Sequence, residues 1–93
     1  MPRQAKIDVT TLMVLLETVH KESAEENVTT TKILKLTKLG SLHTVYAYVR
    51  FACQKGLMRV AEVQDPRPYG AAKYYYLTAA GERLLQAWKR LPR

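Results

Sequence analysis

Apolar and polar positions along the chain follow a helical period up to Gly56, change to short strand-like runs up to Leu77, and return to a helical period after Thr78. Val9, Leu12, Met13, Leu16 and Val19 recur at helical spacing, which predicts a first helix from about Asp8 to Lys21. Asp8 near its start and Lys21 near its end suit the helix dipole. "ESAEEN" breaks the stripe and reads as a loop. "TTTKILKLT" offers threonines as N-caps and Ile33, Leu34 and Leu36 as a short buried face, predicting a second helix from about Thr30 to Leu36 with Lys32 and Lys35 on its outer side. "TKLG" is a turn. Ser41 can cap a third helix that runs to about Gln54, and Gly56 closes it where a left-handed residue is needed.

Past Gly56, "LMRVAEV" is short and rich in β-branched and apolar residues, as a strand requires. "QDPRPYGAA" holds two prolines and a glycine and reads as a loop. "KYYYL" is the second strand of a hairpin with a long tip. Alternation sends Tyr75 to the face opposite Tyr74 and Tyr76, and one of those two sets must be core; periodicity alone leaves open which. Thr78 caps a last helix that carries Leu84, Leu85, Trp88 and Leu91 on one face. The expected architecture is mainly α with a β-hairpin: helix, helix, helix, strand, strand, helix.

At 93 residues the chain fits one small domain with a modest core, for which a partner subunit is plausible. A hydrophobic fraction of 47% suits a globular protein and is too high for a disordered one. No apolar run approaches the ~20 residues of a membrane span. "MPRQAKIDVTT" lacks the apolar core of a signal peptide, and residues 1–6 read as a loose basic arm. One cysteine precludes an intrachain disulfide and favours an intracellular, cytoplasmic protein. No paired-carboxylate, nucleophile–base or metal-ligand constellation and no glycine-rich phosphate loop is legible, so neither an enzyme nor a cofactor or metal site is expected.

Charge changes the picture most. The formal net charge is +7, and it is segregated. Glu17, Glu22, Glu25 and Glu26 cluster with Lys21 as the only base among them. From Asn27 to Ala61 there are Lys32, Lys35, Lys38, Arg50, Lys55 and Arg59 and no acid. A surface that faces a polyanion segregates charge in this way.

The segments "TTTKILKLTKLGSLHTVYAYVRFACQKGLMRV" and "KYYYLTAAGERLL" resemble the winged helix-turn-helix transcription regulators of the MarR, PadR and ArsR kind. The marks are a helix ending in "KGL", a strand, a wing, and a "YYxLTxxG" pattern at Tyr75, Tyr76, Leu77, Thr78 and Gly81. The resemblance covers roughly residues 9 to 91. It implies that 41–54 is a recognition helix, that Gln64 to Ala72 is the wing, and that the last helix, 78–91, serves dimerisation through Leu84, Leu85, Trp88 and Leu91. Cys53, His20 and His43 lie far apart in sequence, so the metal sensing of some relatives is unsupported. No small-molecule ligand is evident.

Winding 41–54 at about 100° per residue puts Leu42, Val45, Tyr46, Val49, Ala52 and Cys53 on the expected core side. His43, Thr44, Ala47, Tyr48, Arg50, Phe51 and Gln54 fall on the other, with Phe51 read as packing. A major groove admits a helix whose first residues reach base edges. Ser41, His43 and Thr44 can then hydrogen-bond to bases or phosphates. Ala47 permits close approach, Tyr48 can reach a phosphate or sugar, and Arg50 a phosphate or a guanine. Arg67 and Tyr69, stiffened by Pro66 and Pro68, suit a narrow minor groove of high negative potential. Arg59 and Lys73 at the strand ends, with Lys32, Lys35 and Lys38, supply phosphate contacts that position the protein without reading sequence.

The expected protein is a homodimeric regulator of double-stranded DNA. A repressor is favoured because little chain is left to recruit polymerase. A twofold dimer would bind an inverted repeat. The rivals are a winged-helix protein–protein adaptor and a nonspecific chromatin-type DNA-binding protein. RNA ranks lower, since the narrow major groove of A-form RNA refuses a helix.

Overall fold

The computed structural model describes residues 7–25, 27–64 and 71–91. The order of elements is α1 (Val9–Ser23), α2 (Thr30–Thr37), α3 (Leu42–Gln54), β1 (Met58–Gln64), β2 (Ala71–Leu77) and α4 (Ala79–Arg90). The two strands pair antiparallel, from Met58 opposite Leu77 to Gln64 opposite Ala71. They therefore reach further into the expected wing loop than the sequence pattern suggested, because ladder hydrogen bonds continue past the apolar run. Residues 1–6, expected as a basic arm, and the wing tip with Pro66, Arg67, Pro68 and Tyr69 lie outside the described residues.

Side-chain caps start every helix. Asp8 accepts the amide of Thr11, Thr29 that of Lys32, Ser41 that of Thr44 and Thr78 that of Gly81, each satisfying an amide that the first turn leaves without a helical partner. The Thr11 amide and hydroxyl hold the Asp8 carboxyl below its usual range. This cap is therefore present above the ordinary carboxylate pKa and is lost as pH falls through the lower folded value. α1 runs to Ser23, into the segment read as a loop.

The core gathers on α1. Leu12, Met13, Leu15, Leu16 and Val19 are buried, and α1 packs against α2, α3, α4 and β2. Leu15, which the five-residue stripe omitted, is fully buried because α1 is covered on more than one side, while Val9 at the first turn is exposed. In α2 only Ile33 is buried; Leu34 is partly covered and Leu36 faces outward. Val28, in the loop before α2, is buried, and its carbonyl accepts the Tyr75 amide at 2.9 Å, giving β2 an outer partner. That bond accompanies the solution of the tyrosine triplet: Tyr75, 8% exposed, joins Met58 and Leu77 in the core, Tyr74 is half-buried and Tyr76 is exposed. No charged side chain is buried among the described residues.

One junction ties the halves of the chain together. Gly56, at φ +73°, ends α3, and the Leu57 amide donates back to Ala52 O at 2.8 Å. The carbonyl of Leu57 accepts the Thr78 amide at 3.0 Å, and the Thr78 hydroxyl donates to the Gly56 carbonyl at 2.6 Å. Gly81, on the first turn of α4, lies directly on the Leu57 carbonyl, so that a Cβ there would collide with its oxygen. "KGL" and "LTxxG" are thus two sides of one contact.

Gly81→Ala measures that contact. Alanine in a helix is worth about 1 kcal/mol over glycine, but here it should destabilise by a net ~1–3 kcal/mol through overpacking, read from urea unfolding. A gain in stability would show that α4 can shift off the junction.

Candidate nucleic-acid interface

The buried side of α3 is Val45, Tyr48, Val49 and Ala52. This is an i, i+3, i+4, i+7 stripe, turned from the expected one by about 50°, half of one residue's rotation. The turn exchanges two tyrosines. Tyr48, expected to face outward, is 5% exposed, and its hydroxyl accepts the backbone amide of Asp8 at 3.0 Å. Packed on α1, it is removed from any DNA-facing set. Tyr46, expected in the core, is 49% exposed, and its hydroxyl accepts from Thr30 Oγ1 at 3.4 Å. Leu42 is likewise exposed, whereas Phe51 is partly buried against the core with Lys55 Nζ 5.7 Å from its ring centroid. Cys53 is half-buried, and burial pushes its thiol above the ordinary range, which keeps it protonated at neutral pH.

The outward face of α3 therefore presents His43, Tyr46, Arg50 and Gln54, flanked by half-buried Thr44 and Ala47. No acid stands on this helix. Ser41 is occupied as the N-cap, its hydroxyl 3.3 Å from the Thr44 amide and 3.1 Å from the Thr44 hydroxyl. An exposed serine in this role orders the start of the helix and keeps a lone pair for an outside donor.

The lysines of the helix-turn-helix separate. Lys35 and Lys38 are exposed. Lys38 caps α2 in the left-handed region, at φ 54°, a conformation that costs a lysine more than it would a glycine. Lys32 turns the other way: its Nζ lies 3.4 Å from Glu22 Oε2, tying α2 to α1. Its expected outward position shared with Lys35 is corrected by that pair.

Strand alternation separates two more expected contacts. Met58, Val60 and Glu62 share a hairpin face with Leu77, Tyr75 and Lys73, while Arg59 lies opposite Tyr76 on the other face. Lys73 is thereby turned toward α3 and Arg59 away from it. Between α3 and the Lys73 face runs a groove of about 670 Å³, bordered by Thr30, Tyr46, Arg50, Cys53, Val60 and Lys73. The sequence could have flagged Tyr46 only through the alternative stripe, Val45–Tyr48–Val49–Ala52, which fits the same period.

On α4, Leu85 is 2% exposed and belongs to the core, which corrects its place in an expected dimer surface. Trp88 is half-buried against the core, and Leu84 and Leu91 remain outside. Lys89 Nζ to Glu17 Oε1, at 3.2 Å, links this helix to α1. Among the described residues no three of His, Cys, Asp and Glu group as a metal site, and no helix is long and apolar enough to cross a membrane.

No protein-family model and no curated protein sequence matches the chain. Solved structures do. A PadR family transcription regulator from hypervirulent Clostridium difficile superposes with a TM-score of 0.68 at 17% identity, over 89% of this chain and 85% of that one. Bacillus subtilis PadR, solved in complex with operator DNA, gives 0.72 at 15% identity over 92% of this chain; the match spans 49% of that PadR. A PadR-like regulator from Bacillus cereus gives 0.65 at 21% identity, over 85% and 77% of the two chains. At such identities the likeness is one of fold: the chain has the winged helix-turn-helix fold that its sequence resemblance implied.

The exchange of tyrosines is open to direct test. Tyr48→Phe removes the acceptor of the Asp8 amide and should lower stability by about 1 kcal/mol in chemical denaturation. Tyr46→Phe, at an exposed site, should change it by less than about 0.5 kcal/mol. Equal effects would place both hydroxyls in equivalent surroundings.

Proposed function

We propose that the chain is a DNA-binding transcription regulator that lays α3 in the major groove of duplex DNA. The observation that carries this reading is the outer face of α3, where His43, Tyr46, Arg50 and Gln54 stand without an acid on a fold shared with a PadR solved on operator DNA. An α-helix fits the major groove, and acids on its leading face would meet phosphate repulsion. His43 and Thr44 lie in the first turns, where a recognition helix meets base edges, and Ala47 leaves room for the backbone to come close. Lys35 and Lys38 are the backbone contacts flanking them. Arg67 and Tyr69 belong to this reading as wing contacts.

The proposed active form is a homodimer. Leu84 and Leu91 are exposed apolar residues on and just after α4, and Leu91 is 55% exposed. A twofold pairing through them would present two recognition helices to an inverted repeat. Repression is the simplest outcome, because occupancy of a promoter needs no further activating surface.

The test is binding of the purified protein to a random-sequence duplex pool over a salt series, with selection of preferred sites. The expected result is affinity that falls by about 0.9 log units per log unit of salt for each phosphate neutralised, with an enriched inverted repeat. Salt-sensitive binding without an enriched site would indicate a chromatin-type protein. No binding at low salt would overturn the reading and favour a protein partner for exposed Leu42 and Tyr46. Leu91→Glu should convert the dimer to monomer in sedimentation while leaving the far-ultraviolet circular dichroism unchanged; an unchanged mass would remove this residue from the interface.

A further inference from the structure

The two faces of the hairpin have different neighbours. Met58, Tyr75 and Leu77 point into the core, whereas Arg59, Ala61, Tyr74 and Tyr76 share the opposite face, with Tyr76 across from Arg59 and Tyr74 across from Ala61. On that back face, away from the groove beside α3, lies a recess of about 280 Å³, bordered by Ser23 at the end of α1, Asn27 in the loop after it, Ala61, Tyr74 and Tyr76. The bond from the Tyr75 amide to the Val28 carbonyl, at 2.9 Å, pins that loop along β2. No charged side chain lines the recess, and Arg59 stands exposed beside its Tyr76 border. Its size is close to the lower end of the range of about 300–1,000 Å³ found for small-molecule sites.

Strand geometry says what shape fits. Side chains two apart on an antiparallel strand are separated by about 6.8 Å, twice the ~3.4 Å spacing of stacked bases. Tyr74 and Tyr76 therefore leave between them a slot one planar ring thick. Ala61, opposite Tyr74, is too small to fill it. Tyr76 is 38% exposed, and a ring laid against it would cover that surface.

The polar border says which ring. The Ser23 hydroxyl donates to the His20 carbonyl at 3.2 Å, so its oxygen is left to accept. Exposed Asn27 offers a carboxamide, whose paired acceptor and donor match the amino group and N7 of adenine. A base with an exocyclic amino group satisfies both residues. Arg59, at the other side of the tyrosines, supplies a cation suited to a phosphate.

We propose that this recess binds an adenine nucleotide, with the base between Tyr74 and Tyr76, its amino edge on Asn27 and Ser23, and its phosphate on Arg59. The site lies on the opposite face of the hairpin from Val60 and Lys73 and leaves α3 uncovered. The proposal goes beyond the DNA-binding reading and does not rest on it.

Calorimetric titration of the full chain with adenosine 5′-monophosphate tests it. This nucleotide should bind at millimolar concentration or below, adenosine more weakly, and ribose 5-phosphate not measurably. Guanosine 5′-monophosphate, which carries an acceptor where adenine has its amino group, should bind at least about fivefold more weakly. Tyr76→Ser should weaken binding of the adenine nucleotide about five- to 150-fold, the loss expected for one stacked aromatic. Tyr76→Phe keeps the ring and should stay within about twofold. Arg59→Gln should bring the nucleotide down to the affinity of adenosine and leave adenosine itself unchanged. All three side chains replaced or compared here are at the surface, and unchanged far-ultraviolet circular dichroism verifies the fold of each variant. Absence of binding at millimolar concentration, or equal binding of the guanine nucleotide, would overturn the proposal. So would a loss caused by Arg50→Gln but not by Arg59→Gln, which would place the nucleotide on α3. A chain that binds the adenine nucleotide but no duplex would sustain this proposal and remove the DNA reading alone.

Discussion

The structure depends on the meeting of Gly56 and Leu57 with Thr78 and Gly81. At that point α3 ends, β1 begins, β2 ends and α4 begins. The carbonyls of Leu57 and Gly56, just past α3, are taken by one threonine, Thr78, through its amide at 3.0 Å and its hydroxyl at 2.6 Å. The same hydroxyl oxygen accepts the Gly81 amide at 3.1 Å. One side chain therefore ties the turn that leaves α3 to the first turn of α4, and the absence of a Cβ at Gly81 lets the backbones touch. This contact, with the packing of β2 on α1, sets the angle of the hairpin to α3 and the width of the cleft between them.

Around that hinge the charges sort by side. Glu17 and Glu22 are held on α1 by Lys89 and Lys32, whereas Lys35, Lys38, Arg50 and Lys73 are exposed. The exposed Lys89–Glu17 pair contributes little stability, typically ~0–1 kcal/mol, and the Lys32–Glu22 pair is half-buried. Their larger effect is on the field: Glu17 and Glu22 each have a cation beside them, while Lys35, Lys38, Arg50 and Lys73 stand at the surface. Lys32 shows the cost to a count of bases, since a lysine in the basic segment is spent on an acid of the other segment.

Much of this was legible in the residues. Ser41, Thr78 and Gly56 mark helix ends because caps and left-handed closures require few residue types, and those types stand at the right places. The two strands and their β-rich composition follow from the change of period after Gly56. The meaning of "LTxxG" was less open. Thr78 could be read as a cap, but its second bond and the contact of Gly81 with Leu57 join residues more than twenty positions apart. The seat of Lys32 beside Glu22 and the burial of Val28 under β2 are of the same kind.

The sequence by itself determined which segments are helix or strand, where each helix begins, and that α3 carries no acid, because caps, periodicity and charge are local properties. Only the tertiary structure decided the rotation of α3. Two apolar stripes, through Tyr46 or through Tyr48, share Val45 and Val49 and satisfy the helical period equally well. Tyrosine is content with an apolar ring environment and a wet hydroxyl, or with burial and one hydrogen-bond partner. The Asp8 amide, 40 positions away, supplies that partner to Tyr48, and α1 covers its ring. Tyr46 is left beside the groove, and with it the outward face of α3 was settled by a neighbour that no local pattern contains.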